Sequence, residues 1–148
     1  MNTSIIKQVL TSDNTFSALP LRVVAGIIFT AHGAQKLFAW FGGYGLDGTG
    51  QWMESIGLAP GYLMAMMAGS AEFFGGLLLI LGLLTRPTAL VLAVTMLVAI
   101  FSTHLTNGLF ISNNGYEFAL SLFAISVSVM LQGGGKLSLD RLLVNKLN

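Results

Sequence analysis

The chain has 148 residues, 54% of them hydrophobic and only 9% charged, with a net charge of +1 and a mean hydropathy of +0.78. A soluble domain carries roughly 25% charged residues, so this composition belongs to the membrane class, and the length allows one domain. No basic run is present to bind a phosphate backbone, which excludes nucleic acid as an expected partner. The absence of cysteine removes disulfide exchange, thiolate metal sites, iron–sulfur clusters and haem attachment through Cys-x-x-Cys-His.

Residues 1–18 are polar apart from a short apolar interruption at 5–10. They lack the apolar region and small-residue cleavage site of a signal peptide, so the first span is expected to direct insertion. That span covers about 19–41, opened by Leu19-Pro20 and ended by Phe41-Gly42-Gly43-Tyr44-Gly45. The glycine-rich segment 42–50 follows no predicted strand and is not a phosphate loop. It is expected to form an outer re-entrant or lid-like segment. Pro60-Gly61 opens a second span to about residue 84, and Thr85-Arg86-Pro87 reads as a tight turn. The third span covers about 87–109, and Asn113-Asn114-Gly115 separates it from a fourth at about 116–131, closed by Gly133-Gly134-Gly135. Each is long enough, or nearly so, to cross a bilayer.

The expected fold is therefore an all-α membrane protein, a bundle of four transmembrane helices over residues 19–131. Lys7, Arg22, Arg86, Lys136, Arg141 and Lys146 fall on one side, whereas the loops at 42–60 and 110–115 hold no Lys or Arg. The positive-inside rule then places both termini, segments 1–18 and 132–148, in the cytoplasm. Trp40 and Trp52 fit an aromatic belt at the outer interface.

Glu72 lies in the middle of the apolar stretch 60–84. A carboxylate at the centre of a span costs roughly 3 kcal/mol on the insertion scale, so by default it marks a functional site. Helical periodicity puts Arg22, Ala25, Gly26, Phe29, His32, Gly33 and Lys36 on one arc of the first span. On the second span Gly61, Ala65, Ala68, Gly69, Glu72, Gly75 and Gly76 share a face, whose small residues suit close helix packing in lipid. Glu117, Ser121, Ala124 and Ser128 form a polar seam on the fourth. At a rise of about 1.5 Å per residue, His32 and Glu72 come near the midplane, Lys36 and His104 in the outer half, and Glu117 near the outer surface. These residues outline a polar path from the outer surface to the centre.

The same residues carry a resemblance. His32-Gly33-Ala34-Gln35-Lys36-Leu37-Phe38 resembles the HGxQKLF motif of DoxX-type membrane proteins. Ala71-Glu72-Phe73-Phe74-Gly75-Gly76 with Leu81-Gly82-Leu83-Leu84-Thr85-Arg86 is similar to that family's second conserved segment, and Gly115-Tyr116-Glu117-Phe118 to its last. The resemblance runs over 19–131 and implies a four-helix protein of the bacterial inner (cytoplasmic) membrane. Some members are associated with thiosulfate:quinone oxidoreduction or with membrane oxidoreductase complexes, while many have no assigned reaction.

Two functional readings follow. In the first, the chain is a quinone-linked redox or redox-support subunit. Glu72 and His32 carry the proton chemistry, and His32, Gln35, Lys36, Glu72, His104 and Glu117 bind the head group and line its approach. Electrons come from a membrane or soluble redox partner, since the chain has no redox group of its own. In the second, it is a non-enzymatic carrier of a small molecule or lipid, or a helper for another membrane protein, and the polar residues are structural. Glu72 is then an ion-pair member neutralised by Lys36 or His32, Lys36 snorkels to the outer interface, and Glu117 caps the last span. Haem between His32 and His104 is disfavoured by a depth offset of about 8 Å, and no HxxxH or ExxH spacing pre-forms a metal site. The bilayer is the expected surrounding partner, and a homo-oligomer through a glycine-rich face fits either reading.

Overall fold

The computed structural model describes residues 9–146. Among them all regular elements are helical: α1 (Ala18–Phe38), α2 (Gly45–Ser55), α3 (Gly61–Leu81), α4 (Thr85–Ala99), α5 (Glu117–Gln132) and α6 (Leu139–Lys146). Helix α4 runs on through a π turn at Ile100–His104 and a 3₁₀ turn at Leu105–Asn107. Short 3₁₀ turns also occur at Trp40–Gly42 and Ile111–Asn113. Two helices are long and apolar enough to cross a membrane, Gly61–Leu81 and Thr85–Asn107. Helix α5 is apolar but shorter, and α1 is interrupted by Arg22, His32 and Lys36.

Helices α1, α3, α4 and α5 close a ring of neighbours: α1 on α3, α3 on α4, α4 on α5 and α5 on α1. The α1–α3 contact is the most extensive, and glycine makes it so. A Cβ on Gly26 would sit 2.7 Å from the Gly76 carbonyl oxygen, and one on Gly33 would sit 2.7 Å from that of Gly69. Only hydrogen fits at these crossings, which is how small residues let two backbones touch. The expected small-residue face of α3 is the one that packs, with Gly61, Ala65, Gly69, Glu72, Gly75 and Gly76 all buried.

Polar and apolar residues are distributed inside out relative to a soluble protein. Val24, Ile27, Phe74, Leu77, Leu90, Val91, Val94 and Leu131 face outward, whereas Arg22, Glu72, Thr85 and Asp140 are buried. Exposed apolar surface on this scale marks contact with a membrane or another protein.

Three local expectations need correction. Thr85-Arg86-Pro87 is not the inter-helix turn: Gly82 and Leu84, both left-handed, make that turn, and Thr85 already begins α4, with Pro87 in a first turn that tolerates it. The seam expected on the fourth helix does not face the interior, because Ser121 and Ala124 are exposed and Ser126 is buried instead. The Ser121 hydroxyl donates to the Glu117 carbonyl one turn back, so it needs no partner on another helix. The segment 42–60, expected as a loop with a re-entrant or lid-like part, is largely helical: after the left-handed Ala39 and Phe41 it folds into α2, which packs on α3 and α1.

A second polar cluster closes the end of the bundle near Arg22. This guanidinium, 2% exposed, donates to the carbonyls of Leu79 and Ile80 in the last turn of α3 and to those of Gly134 and Leu137. Asp140 accepts the Leu84 and Thr85 amides at 2.7 and 2.8 Å, capping the start of α4. The last turn of one helix and the first turn of the next thus have their free backbone groups satisfied. Arg86 donates to the carbonyls of Thr11 and Met130.

Two stability changes are expected. Gly33→Ala should lose about 1–3 kcal/mol, as for other overpacked contacts, read by denaturant titration in mild detergent. Asp140→Ala should lose about 1–2 kcal/mol, the range for a helix cap. Unchanged unfolding midpoints would show that neither contact bears on stability.

Candidate functional site

The α1–α3 crossing holds the central ion pair. Glu72, 4% exposed, is buried midway along α3, and its Oε2 lies 2.5 Å from Lys36 Nζ in the last turn of α1. The glycines on either side bring the two backbones close enough for this contact to form. Among the described residues the carboxylate has no other hydrogen-bond partner.

Beside the pair lies a cavity of about 700 Å³, a size suited to a small organic ligand. Helix α1 contributes Phe29, His32, Gln35 and Lys36, and α3 contributes Ala68 and Glu72. The α4 wall supplies Thr95, Met96, Ser102, Thr103 and His104, and α5 supplies Phe118 and Leu122. Helix α2 covers another side with Thr49, Trp52 and Met53. Trp52, expected at the outer interface, is on this wall as well.

The structure brings five of the six expected site residues onto one cavity: His32, Gln35, Lys36, Glu72 and His104. It does not pair His32 with Glu72. The imidazole sits against Phe118 of α5, ring centroids 5.8 Å apart, and makes no hydrogen bond among the described residues. Gln35 donates to the Phe41 carbonyl at 3.3 Å, which steadies the turn into α2. Glu117 is not on the wall. Its Oε1 accepts the Ile111 amide at 2.6 Å, so it organises the loop ahead of α5. No group of metal-ligating side chains occurs among the described residues.

Of the α4 wall, sequence reasoning named His104 but missed Thr95, Ser102 and Thr103. The π turn at Ile100–His104 advances the register there, and such turns recur at functional sites. Nothing in the residue pattern signals one. Thr95, Ser102 and Thr103 were also hidden by their small size within an apolar run. Asn114, left-handed with φ 58°, was read only as punctuation, yet its carbonyl accepts from His104 Nδ1 at 2.8 Å.

The profile of the DoxX family matches residues 17–105, a stretch that holds α1 to α4 and the Lys36–Glu72 pair. The chain belongs to the DoxX family. It is 37% identical over 122 residues to a Bacillus subtilis protein named "Putative oxidoreductase CatD", covering 82% of this chain and 83% of that one. It is 31% identical over 128 residues to the inner membrane protein YqjF of Escherichia coli, covering 86% and 92%. No solved structure matches. This DoxX protein is accordingly a membrane protein, in keeping with its outward-facing apolar residues.

The pair's energetics can be measured directly. Lys36→Met should destabilise the fold by about 3–5 kcal/mol, because it strands a buried carboxylate. Adding Glu72→Leu should recover most of that loss. A double variant no more stable than the single one would mean that the pair is not coupled.

Proposed function

We propose that this DoxX protein is a multi-pass protein of the bacterial inner membrane whose cavity binds a quinone head group, as a quinone-linked redox or redox-support subunit. Its spans would be α1, α3, α4 and α5, with both termini cytoplasmic. The charge bias supports that orientation: Arg22, Arg86, Lys136 and Arg141 gather at the end of the bundle where α6 packs.

One observation carries the reading: a buried Lys–Glu pair on the wall of a cavity of about 700 Å³ that is otherwise lined largely by apolar and aromatic side chains. A quinone ring is flat and apolar, with a carbonyl acceptor on each side. Phe29, Trp52 and Phe118 offer surfaces for the ring, and Lys36 Nζ offers a cationic donor for one carbonyl. Reduction to quinol takes two electrons and two protons. The electrons would come from a membrane or soluble reductant. Lys36 and Glu72 share a hydrogen-bonded proton between Nζ and Oε2, and a ring in the cavity would have this proton donor and its acceptor at hand. His32 lies one turn from Lys36 on the same wall and would relay protons to the site. The relative named as an oxidoreductase agrees with this chemistry.

Mass spectrometry of the protein purified in mild detergent tests the proposal. Near-stoichiometric quinone is expected in wild type, and at least about tenfold less in a folded Glu72→Gln variant, as when a good polar contact is lost. An empty wild type, or bulk lipid that the substitution does not change, would overturn the quinone reading and favour a carrier or membrane-protein helper.

A further inference from the structure

The two sides of the cavity differ in charge. The α1–α3 side holds the Lys36–Glu72 pair, whose Nζ is a donor with no accepting capacity. On the α4 side two hydroxyls are already committed as donors, and Thr103 Oγ1 lies 3.2 Å from Ser102 Oγ. The Thr95 hydroxyl donates to the Val91 carbonyl at 2.9 Å and the Ser102 hydroxyl to the Val98 carbonyl at 2.7 Å. Both oxygens therefore retain only lone pairs for any other partner.

His104 completes this acceptor side. Its Nδ1 lies 2.8 Å from the Asn114 carbonyl oxygen. A carbonyl can only accept, so Nδ1 must carry the hydrogen. In the neutral ring Nε2 is then bare, an acceptor without a protein partner among the described residues. The carbonyl is held in place by the left-handed backbone of Asn114 and by a second donor, Asn107 Nδ2, at 3.2 Å. The tautomer is set by backbone, on a residue that the π turn brings to the cavity wall.

We infer that the α4 side of the cavity reads a ligand hydroxyl, with His104 Nε2 as its acceptor, so that the site takes the hydroxyaryl (quinol or phenol) form of the ring. The inference rests on the ring-binding reading above and goes beyond it. A quinone carbonyl finds its donor at Lys36 but meets a bare lone pair at His104 Nε2, whereas a hydroxyl satisfies that nitrogen. His104 is thus a specificity residue for the hydroxylated ring, and Asn114 positions it.

The test uses full-length protein in detergent under anaerobic conditions. Three probes are titrated: trimethylhydroquinone, its dimethyl ether and trimethylbenzoquinone. In wild type the hydroquinone should bind at least about tenfold tighter than the ether. In folded His104→Phe that gap should shrink to about twofold or less, with benzoquinone affinity unchanged. Equal binding of hydroquinone and ether in wild type, or a gap that persists in the variant, overturns the inference and leaves the ring-binding reading standing. Failure of all three probes to bind wild type overturns both. A second measurement does not depend on the variant folding. In protein with ¹⁵N-labelled histidine rings, His104 should show a protonated Nδ1 and a bare Nε2 that shifts with hydroquinone but not with the ether. A His104 protonated at Nε2 overturns the inference.

Discussion

A carboxylate buried in an apolar bundle has to be held by a counter-charge, and the geometry of this protein follows from how that is achieved. Glu72 meets Lys36 only because α1 and α3 cross at backbone contact, with Gly26, Gly33, Gly69 and Gly76 at the crossing. Larger side chains would push the helices apart and leave two unpaired charges in a low-dielectric interior, a state costing several kcal/mol. The glycines and the ion pair are therefore one device. No hydrophobic effect drives helices together in lipid, so close packing and polar contacts take over that role.

With α1 and α3 pressed together, α4 and α5 complete the ring of neighbours, and the cavity lies among them. Its walls divide by chemistry. The α1–α3 side carries the charged Lys36–Glu72 pair, the α4 side carries the neutral hydroxyls of Thr95, Ser102 and Thr103 with His104, and α2 covers another side with Thr49, Trp52 and Met53. The far end of the bundle is closed separately by Arg22 and Asp140, which satisfy the last turn of α3 and the first turn of α4. The site and the closure use different residues on the same two helices, Lys36 and Arg22 on α1 and Glu72, Leu79 and Ile80 on α3.

Much of this was legible in the residue order. Four apolar stretches bounded by Gly, Pro and Asn foretold α1, α3, α4 and α5, because long helices in this composition leave few alternatives. The inward faces of α1 and α3 followed from the 3.6-residue period, and they left Lys36 and His32 as the candidate partners of Glu72. Periodicity fails where a helix departs from it. The π turn shifts His104, and α2 hides in a glycine-rich stretch that reads as loop. On α5 the polar seam was misleading, because a serine in a helix can satisfy its hydroxyl on its own previous turn.

The sequence by itself determined the helical class, the membrane setting, the DoxX resemblance and the carboxylate at the centre of a span, since all of these rest on composition, period and local motif. Only the tertiary structure decided which polar groups meet. It set His32 against Phe118 rather than Glu72, withdrew Glu117 from the wall to hold Ile111, sent Arg22 to four distant carbonyls, and fixed the His104 tautomer on the Asn114 carbonyl. Those pairings depend on backbone atoms and on the rotation of one helix against another, and neither is written in side-chain order.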